Sequence, residues 1–482
     1  MSRLSRRDFL ASLAALGVSS ALPAQSVSPG SRRGRPNVLF IAVDDLRPQL
    51  GCYGATRMLT PHIDSLAADG VVFERAFCSV PVCGASRASL MAGLRPTRGR
   101  FTNYYSMVDQ DAPGVATLPD LFRRNGYNTV SLGKIYHSQQ DDPDGWVSEP
   151  WRASPEHRYL LEENRAISEG NWPETGQGRR GPAWEAAAVD DDAYPDGIMT
   201  SRAIGELEKF SRSGEPFFLA TGFVRPHLPF NSPKRYWDLY DRLQLNLARN
   251  PFRPEGAPDA ALHNFGELRQ YHGIPQTGPL PDGMALELIH GYYASVSYVD
   301  AQIGRLMGSL RWLGLERNTV VVLWGDHGWQ LGEHGLWCKH CNFQTSLRAP
   351  LIVRAPWIPG GKKTSALTEF VDIYPSLCEL CGLEAPIHLE GSSFVPLLID
   401  PKLAWKQAVF SRYNDGDSVR TDRYLYTQWT NSAGEVYARM LYDHHTDPQE
   451  NVNIAELPAN RDVVARMTDL LDRGWRSQVP GR

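Results

Sequence analysis

The sequence has little charge of either sign to spare: 50 lysines and arginines stand against 54 aspartates and glutamates, a formal net charge of −4. That balance excludes a protein that finds its partner by bulk electrostatics, nucleic acid above all, while a local cationic pocket for an anion stays open. Cysteine is scarce, seven in 482 residues, and the count is odd, so no disulfide framework organises this chain. Beyond the N-terminus no apolar run approaches the length of a membrane span, and there are no internal repeats and no low-complexity tract. What is present, 42% hydrophobic and 22% charged residues, is an ordinary globular composition in a chain long enough for a large core.

Residues 1–25 begin with Arg3, Arg6 and Arg7, continue as an apolar run and end in small residues suited to cleavage. "SRRDFL" resembles a twin-arginine export signal, a route that carries proteins already folded. No cysteine precedes Cys52, where a lipoprotein anchor would need one. The expectation is an exported, periplasmic or secreted protein with no membrane span in the mature chain, joined to its signal by a Ser/Arg/Gly-rich linker at 26–36.

"PNVLFIAVDDLRP" is a continuous apolar run that ends in Asp44 and Asp45, the pattern of a strand buried on both faces. "TPHIDSLAADG" reads as a helix stopped by Gly70, and "VVFERAFCS" as another strand. "TLPDLFRRNGYNTVSLGKIYH" repeats helix, stop and strand, ending in Lys134 and His137; "EPFFLATGFVRPHLPF" leads to His227, and "NTVVVLWGDHG" to Asp326 and His327. Such alternation predicts an α/β domain over 37–398 with a large, mostly parallel sheet sandwiched by helices. Polar residues just past the strand ends are where open α/β sheets hold ligands. Residues 138–195 lack periodicity and read as long surface loops shaping a substrate rim. From 399 onward, alternation and turn signals predict a smaller antiparallel-sheet subdomain closed by a terminal helix.

Two C-x-x-C pairs, Cys338/Cys341 and Cys378/Cys381, invite a zinc reading. The second lies in "IYPSLCELCGL", whose spacing is that of a buried helix, where thiols serve as small hydrophobes. A bridge within either pair is compatible with an oxidising compartment.

Cys83 is placed differently. "CGASRASLMAG" sets it at the mouth of a helix, with Arg87 four residues on along the same face. Unpaired N–H donors and the positive end of the helix dipole favour an anion there by roughly 0.3–1 kcal/mol, and a guanidinium adds a fixed fork. Residue 83 therefore carries a thiolate or meets a bound oxyanion.

"CGASR" followed by "ASLMAGLRP" resembles the signature of the sulfatase family, with Ala85 where most members carry proline. The resemblance runs from about 37 to 455 and is nearest the iduronate-2-sulfatase-like branch, through "GKIYH", "GDHGWQLGEHGLWCKHCNF", "APLIVRAP" and "LYDHHTDPQENVN". It implies that Cys83 is oxidised to formylglycine by a formylglycine-generating enzyme. The aldehyde hydrates to a gem-diol: one hydroxyl displaces the alcohol from a sulfate ester, and the other then expels sulfate and restores the aldehyde. It further implies one Ca2+ held by Asp44, Asp45, Asp326, His327 and an oxygen of modified Cys83, carboxylates that would otherwise repel one another. Many sulfatases have asparagine where His327 stands; this branch has histidine. By the same resemblance Lys134 and Lys339 hold the sulfate oxygens, Arg87 orients the diol, His137 takes the proton that releases sulfate, and His227 protonates the leaving alcohol, with Lys339 assisting. His334 and His340 are left as structural or rim residues. The paired cysteines around Lys339 depart from the branch.

The substrate so implied is a sulfated saccharide. Two other readings stay open: a phosphoester or phosphonate hydrolase of the same superfamily, and a non-catalytic binder of sulfated polysaccharide in which Cys83 is never oxidised.

Overall fold

Strand β1, Asn37–Val43, is buried along its whole length because helices and loops cover both faces of the sheet around it. Val38, Phe40 and Ala42 enter one hydrophobic core and Leu39, Ile41 and Val43 the other, as the two-residue period of a strand requires. The computed structural model describes residues 35–170 and 180–480; the expected export signal at 1–25, and the linker up to residue 34, lie outside them.

The central sheet also contains β2 (Val71–Phe73), β3 (Asn128–Gly133), β4 (Phe217–Phe223), β5 (Thr319–Gly325), β6 (Leu351–Arg354) and β7 (Lys362–Thr364). Its order is β7-β2-β6-β5-β1-β4-β3. All neighbours pair in parallel except β6, which is antiparallel to both β5 and β2. The mostly parallel α/β sheet expected from the apolar runs is therefore the architecture observed. One core holds the helices Cys83–Ala92, Leu118–Arg124 and Ile373–Cys381; the other is covered by Pro195–Ser213 and by Asp282–Trp312, through Leu288, Tyr292, Val296, Val299, Ile303 and Leu306.

The strand expected over "VVFERAFCS" is broken. Val71–Phe73 joins the large sheet, whereas Ala76–Phe77 pairs with Thr368–Glu369 in a separate ladder. The charged pair Glu74 and Arg75 cannot continue a strand that is buried on both faces, and Arg75 turns out to meet Asp422.

A second, antiparallel sheet is built from β8 (Ala408–Tyr413), β9 (Gly416–Thr421), β10 (Tyr424–Thr430) and β11 (Val436–Asp443), hydrogen-bonded in sequence order. The helix Arg461–Arg473 lays Val463, Val464, Met467, Leu470 and Leu471 against Ala408, Val419, Tyr426 and Leu441 of this sheet. No helix among the described residues is long and apolar enough to cross a membrane. Cys378 and Cys381 are packed in the core, all seven cysteines are free, and neither C-x-x-C pair belongs to a cluster of metal-binding side chains among the described residues.

Candidate active site

Four parallel strands deliver the site at their C-terminal ends: Asp44 and Asp45 directly follow β1, Lys134 follows β3, His227 stands in the loop after β4, and Asp326 and His327 follow β5. Cys83 is the first residue of its helix, 3% exposed at the floor of this crevice. The helix reaches the crevice because Gly84 lies under the backbone of Tyr104; a Cβ there would sit 2.2 Å from the Tyr104 carbonyl oxygen.

Arg87 is fully buried. Its Nε donates to Asp326 Oδ2 at 2.9 Å and its Nη1 to the carbonyls of Lys134 and Ile135, so one guanidinium ties the Cys83 helix to the ends of β3 and β5. Lys134 is ion-paired to Asp44. Burial would raise the Asp44 carboxyl, but Lys134, His227 and Arg87 outweigh it and hold it well below the ordinary carboxylate range. Burial likewise opposes ionisation of Cys83, yet the Lys134 and Lys339 ammoniums outweigh it, with His137 adding to them, and pull its thiol well below the usual value. An anion is the favoured state at residue 83.

His137 is placed by Arg152, which donates to the carbonyls of Tyr136 at 2.6 Å and His137 at 3.1 Å. Arg152, in the stretch expected to be surface loops, thus props a site residue, and that stretch also contains the helix Glu162–Glu169, which was not expected there. On the opposite wall the His227 loop is held by Asp196, which accepts from the Val224 and Arg225 amides at 2.8 and 3.0 Å, and by Arg225 Nη1 on the His227 carbonyl at 2.9 Å. Lys339 lies between Cys338 and His340, both at positive φ, 71° and 63°. Its ammonium is buried, 4.9 Å above the Trp329 ring.

The five expected cation ligands divide four and one. Single ligand atoms from Asp44, Cys83, Asp326 and His327 lie within 4.8 Å of one another, all buried. Asp45 turns its carboxylate toward Lys339 Nζ, at 3.0 Å, and clusters with His227 and Glu267; its Oδ1 still lies 3.5 Å from His327 Nε2 and so borders the group of four. The reason is the backbone: Asp45 is left-handed, φ 59°, which sends adjacent aspartates in different directions. Burial leads in raising the Asp45 carboxyl to about 7, with Lys339 resisting.

These residues suit a hard divalent ion. Asp44 Oδ1 and His327 Nε2 are buried without a hydrogen-bond partner, a costly state unless a cation completes them. His327 Nδ1 lies 2.9 Å from the Gly328 carbonyl oxygen; a hydrogen there leaves the Nε2 lone pair free to ligate. Against the pull of burial, Asp326 leads in raising the His327 imidazole to about 9. A cation ligated at Nε2 competes with that proton for the same lone pair.

Glu267 is the site residue that the sequence does not announce. It stands in "HNFGELRQYHG", with no strand end and no periodicity to mark it, yet its carboxylate lies 2.8 Å from His227 Nε2 and 2.9 Å from Lys339 Nζ. His340 and His263 line the same wall; burial leads in lowering the first to about 3 and the second to about 4, so both stay neutral.

Comparison with known proteins agrees with this geometry. The sulfatase family model matches residues 36–383, and the C-terminal model of N-sulphoglucosamine sulphohydrolase matches residues 332–476. The iduronate 2-sulfatase of Homo sapiens is 35% identical over 506 residues, covering 87% of this chain and 90% of that protein. Among solved structures, one bound to its substrate D-glucosamine-2-N,6-O-disulfate has a TM-score of 0.73 at 24% identity, covering 91% of this chain and 97% of its own. The phosphonate monoester hydrolase of Silicibacter pomeroyi has a TM-score of 0.74 at 22% identity, covering 92% and 96%. These structural likenesses establish the fold. The chain belongs to the sulfatase family, the sulfuric ester hydrolases. Within that family it stands in the iduronate-2-sulfatase-like branch.

Proposed function

We propose that this protein removes sulfate from a sulfated saccharide outside the cytoplasm, through a formylglycine made from Cys83 and beside one bound calcium ion. The observation that carries the reading is the setting of Cys83: buried at a helix N-terminus, between Lys134 and Lys339, next to carboxylate and imidazole atoms that lack partners. The relatives supply the substrate class. Iduronate 2-sulfatase is named for a 2-sulfated uronate, and a structural neighbour was solved with a sulfated glucosamine.

When present, the hydrated aldehyde supplies a hydroxyl nucleophile and a second hydroxyl to expel sulfate, and calcium supplies charge neutralisation for the clustered carboxylates. The chain's own residues do the rest. Lys134 and Lys339 approach the site from opposite walls, as Asp44 and Asp45 hold them, and bind the sulfate oxygens as charge builds on them. Arg87, locked on Asp326, fixes residue 83 and the helix mouth. His137, whose imidazole acts on residue 83, takes the proton of the hydroxyl that expels sulfate. Burial would lower His227, but Asp45, Asp44 and Glu267 outweigh it together with Lys339 and raise the imidazole above its ordinary value, which favours the protonated ring that delivers a proton to the departing oxygen.

The resemblance in fold to a phosphonate monoester hydrolase favours one second reading, hydrolysis of phosphate or phosphonate esters at the same site. Parallel turnover of an aryl sulfate and an aryl phosphate by the purified, calcium-loaded chain separates the two. The sulfate ester is expected to be the faster substrate, and faster phosphate turnover overturns the first reading. Export by the twin-arginine route belongs to the same proposal and is tested by fractionating cells that express the chain with and without Arg6 and Arg7.

A further inference from the structure

Two cations meet on the wall where the alcohol departs. Lys339 Nζ lies 3.0 Å from Asp45 Oδ1, and His227 Nε2 lies 3.9 Å from Asp45 Oδ2. Asp45 Oδ1 also borders the cation ligands, 3.5 Å from His327 Nε2, and whatever charge it gives to a cation there is no longer free for either neighbour. A lysine and an imidazolium confined in a buried pocket then repel each other and drift apart unless another anion stays with them. Among the described residues, Glu267 is the carboxylate in that position: Oε1 is 2.8 Å from His227 Nε2, and Oε2 is 2.9 Å from Lys339 Nζ.

The geometry also fixes what Glu267 does to His227. The imidazole Nδ1 lies 2.6 Å from the Leu228 carbonyl oxygen and Nε2 faces the Glu267 carboxylate. Both partners only accept, so each nitrogen carries a hydrogen and the ring rests as its proton-donating form. Glu267 itself is not a free surface acid. Phe265 turns the chain through the left-handed region, φ 44°, into the short helix Gly266–Arg269. Arg269 then staples the loop: it lies over the Phe265 ring at 3.9 Å and donates to the carbonyls of Asn264 at 2.7 Å, Gly278 at 2.6 Å and Pro275. Leu268 beside it is buried. A carboxylate on a stapled loop has little freedom to follow its partners, so it sets where they stand.

We propose that Glu267 is a positioning residue for leaving-group departure: its carboxylate holds the His227 imidazolium and the Lys339 ammonium together, at the distances given, on the side where the substrate's bridging oxygen leaves. This rests on the reading of His227 as the proton donor. No covalent bond to Glu267 forms or breaks: the Nε2 hydrogen of His227 turns from Glu267 to the departing oxygen, the N–H bond breaks as the O–H bond forms, and the ring is left neutral with its Nδ1 hydrogen on the Leu228 carbonyl.

A proton donor matters most when the departing oxygen is basic. Nitrophenolate departs without help, whereas phenolate and sugar alkoxides need the proton. The test is kcat/KM on nitrophenyl sulfate and on phenyl sulfate, using the full, calcium-loaded chain that carries the aldehyde. Wild type, Glu267→Ala, Glu267→Gln and His227→Ala are compared. Glu267→Gln keeps the side chain's shape without its charge, and thermal unfolding is recorded for each variant, so a chain that has lost its fold is recognised as such. In the Gln variant the expected loss is about 100-fold on phenyl sulfate and less than about tenfold on nitrophenyl sulfate, with His227→Ala showing the same split. An equal loss on both esters in Glu267→Gln, or none, while His227→Ala splits them, overturns the role of Glu267 alone. An equal loss on both esters in His227→Ala overturns the reading of His227 on which it rests, and Glu267's role falls with it.

Discussion

The molecule buries two clusters of charge, and they are built differently. In the first, Glu369 meets Arg95 and Lys406, and Lys406 also donates to both oxygens of Asp372 at 2.6 and 2.7 Å. Backbone amides of Phe410, Ser392 and Glu369 complete the remaining oxygens. Every polar atom in this cluster has a partner. The second cluster, around Cys83, leaves Asp44 Oδ1, Arg87 Nη2 and His327 Nε2 buried and without a hydrogen bond. Burial and charge are common to both, so neither marks function. Incomplete pairing among the clustered charges separates them: the first cluster fastens Glu369 to β8 through the Phe410 amide, and the second is shaped for something that arrives later.

Changes that should separate the two begin with the largest effect. Cys83→Ala removes the nucleophile and is expected to lower aryl sulfate turnover by about 10⁴-fold or more, while circular dichroism and the unfolding midpoint stay near wild type. Stripping divalent ions should cost about 100-fold in turnover and lower the unfolding midpoint, with calcium restoring both, because the partnerless atoms regain a cation. Lys406→Met addresses the paired cluster. It should cost about 3–5 kcal/mol of stability in denaturant titration, by stranding two buried carboxylates, and leave kcat per folded molecule unchanged.

The same cluster sets an acid limit. Burial would raise Glu369, but Arg95 and Lys406 outweigh it and lower it from an ordinary 4.5 to about 2. A lowered carboxyl stabilises the fold fully above its unfolded value, and that contribution disappears as pH falls from 4.5 toward 2. Asp372, raised by burial, works against it and makes the net slope shallower. Glu369→Gln should flatten the loss of unfolding free energy across that window. The smallest effect belongs to Cys378→Ala, about 1 kcal/mol from a lost core contact, with turnover and metal content unchanged.

How much of this was legible in the sequence follows from where each residue sits. A strand buried on both faces is written as an unbroken apolar run, so its end is visible, and with it Asp44, Lys134 and Asp326. Cys83 was legible because a polar, reactive residue opened an apolar helix. Direction was not: "AVDDL" shows adjacent aspartates, but the left-handed turn at Asp45 that aims them at different partners is a property of the folded backbone. Glu267 was invisible for a related reason. Its place depends on Phe265's conformation and on Arg269 bonding to carbonyls up to nine residues away, contacts that leave no periodic trace. Glu74 and Arg75 were in plain view inside "VVFERAFCS", and two adjacent charges in a doubly buried strand were the sign that it would break.

The proposed chemistry depends on what residue 83 is in the working protein. Expressed with and without a formylglycine-generating enzyme, the chain yields preparations that differ in conversion, read by mass spectrometry of the peptide spanning residues 76–87, where sulfur is exchanged for oxygen and two hydrogens are lost. Turnover of an aryl sulfate should rise in proportion to the converted fraction and vanish in the preparation that retains the thiol. Full turnover from a chain whose Cys83 is still a thiol would contradict it.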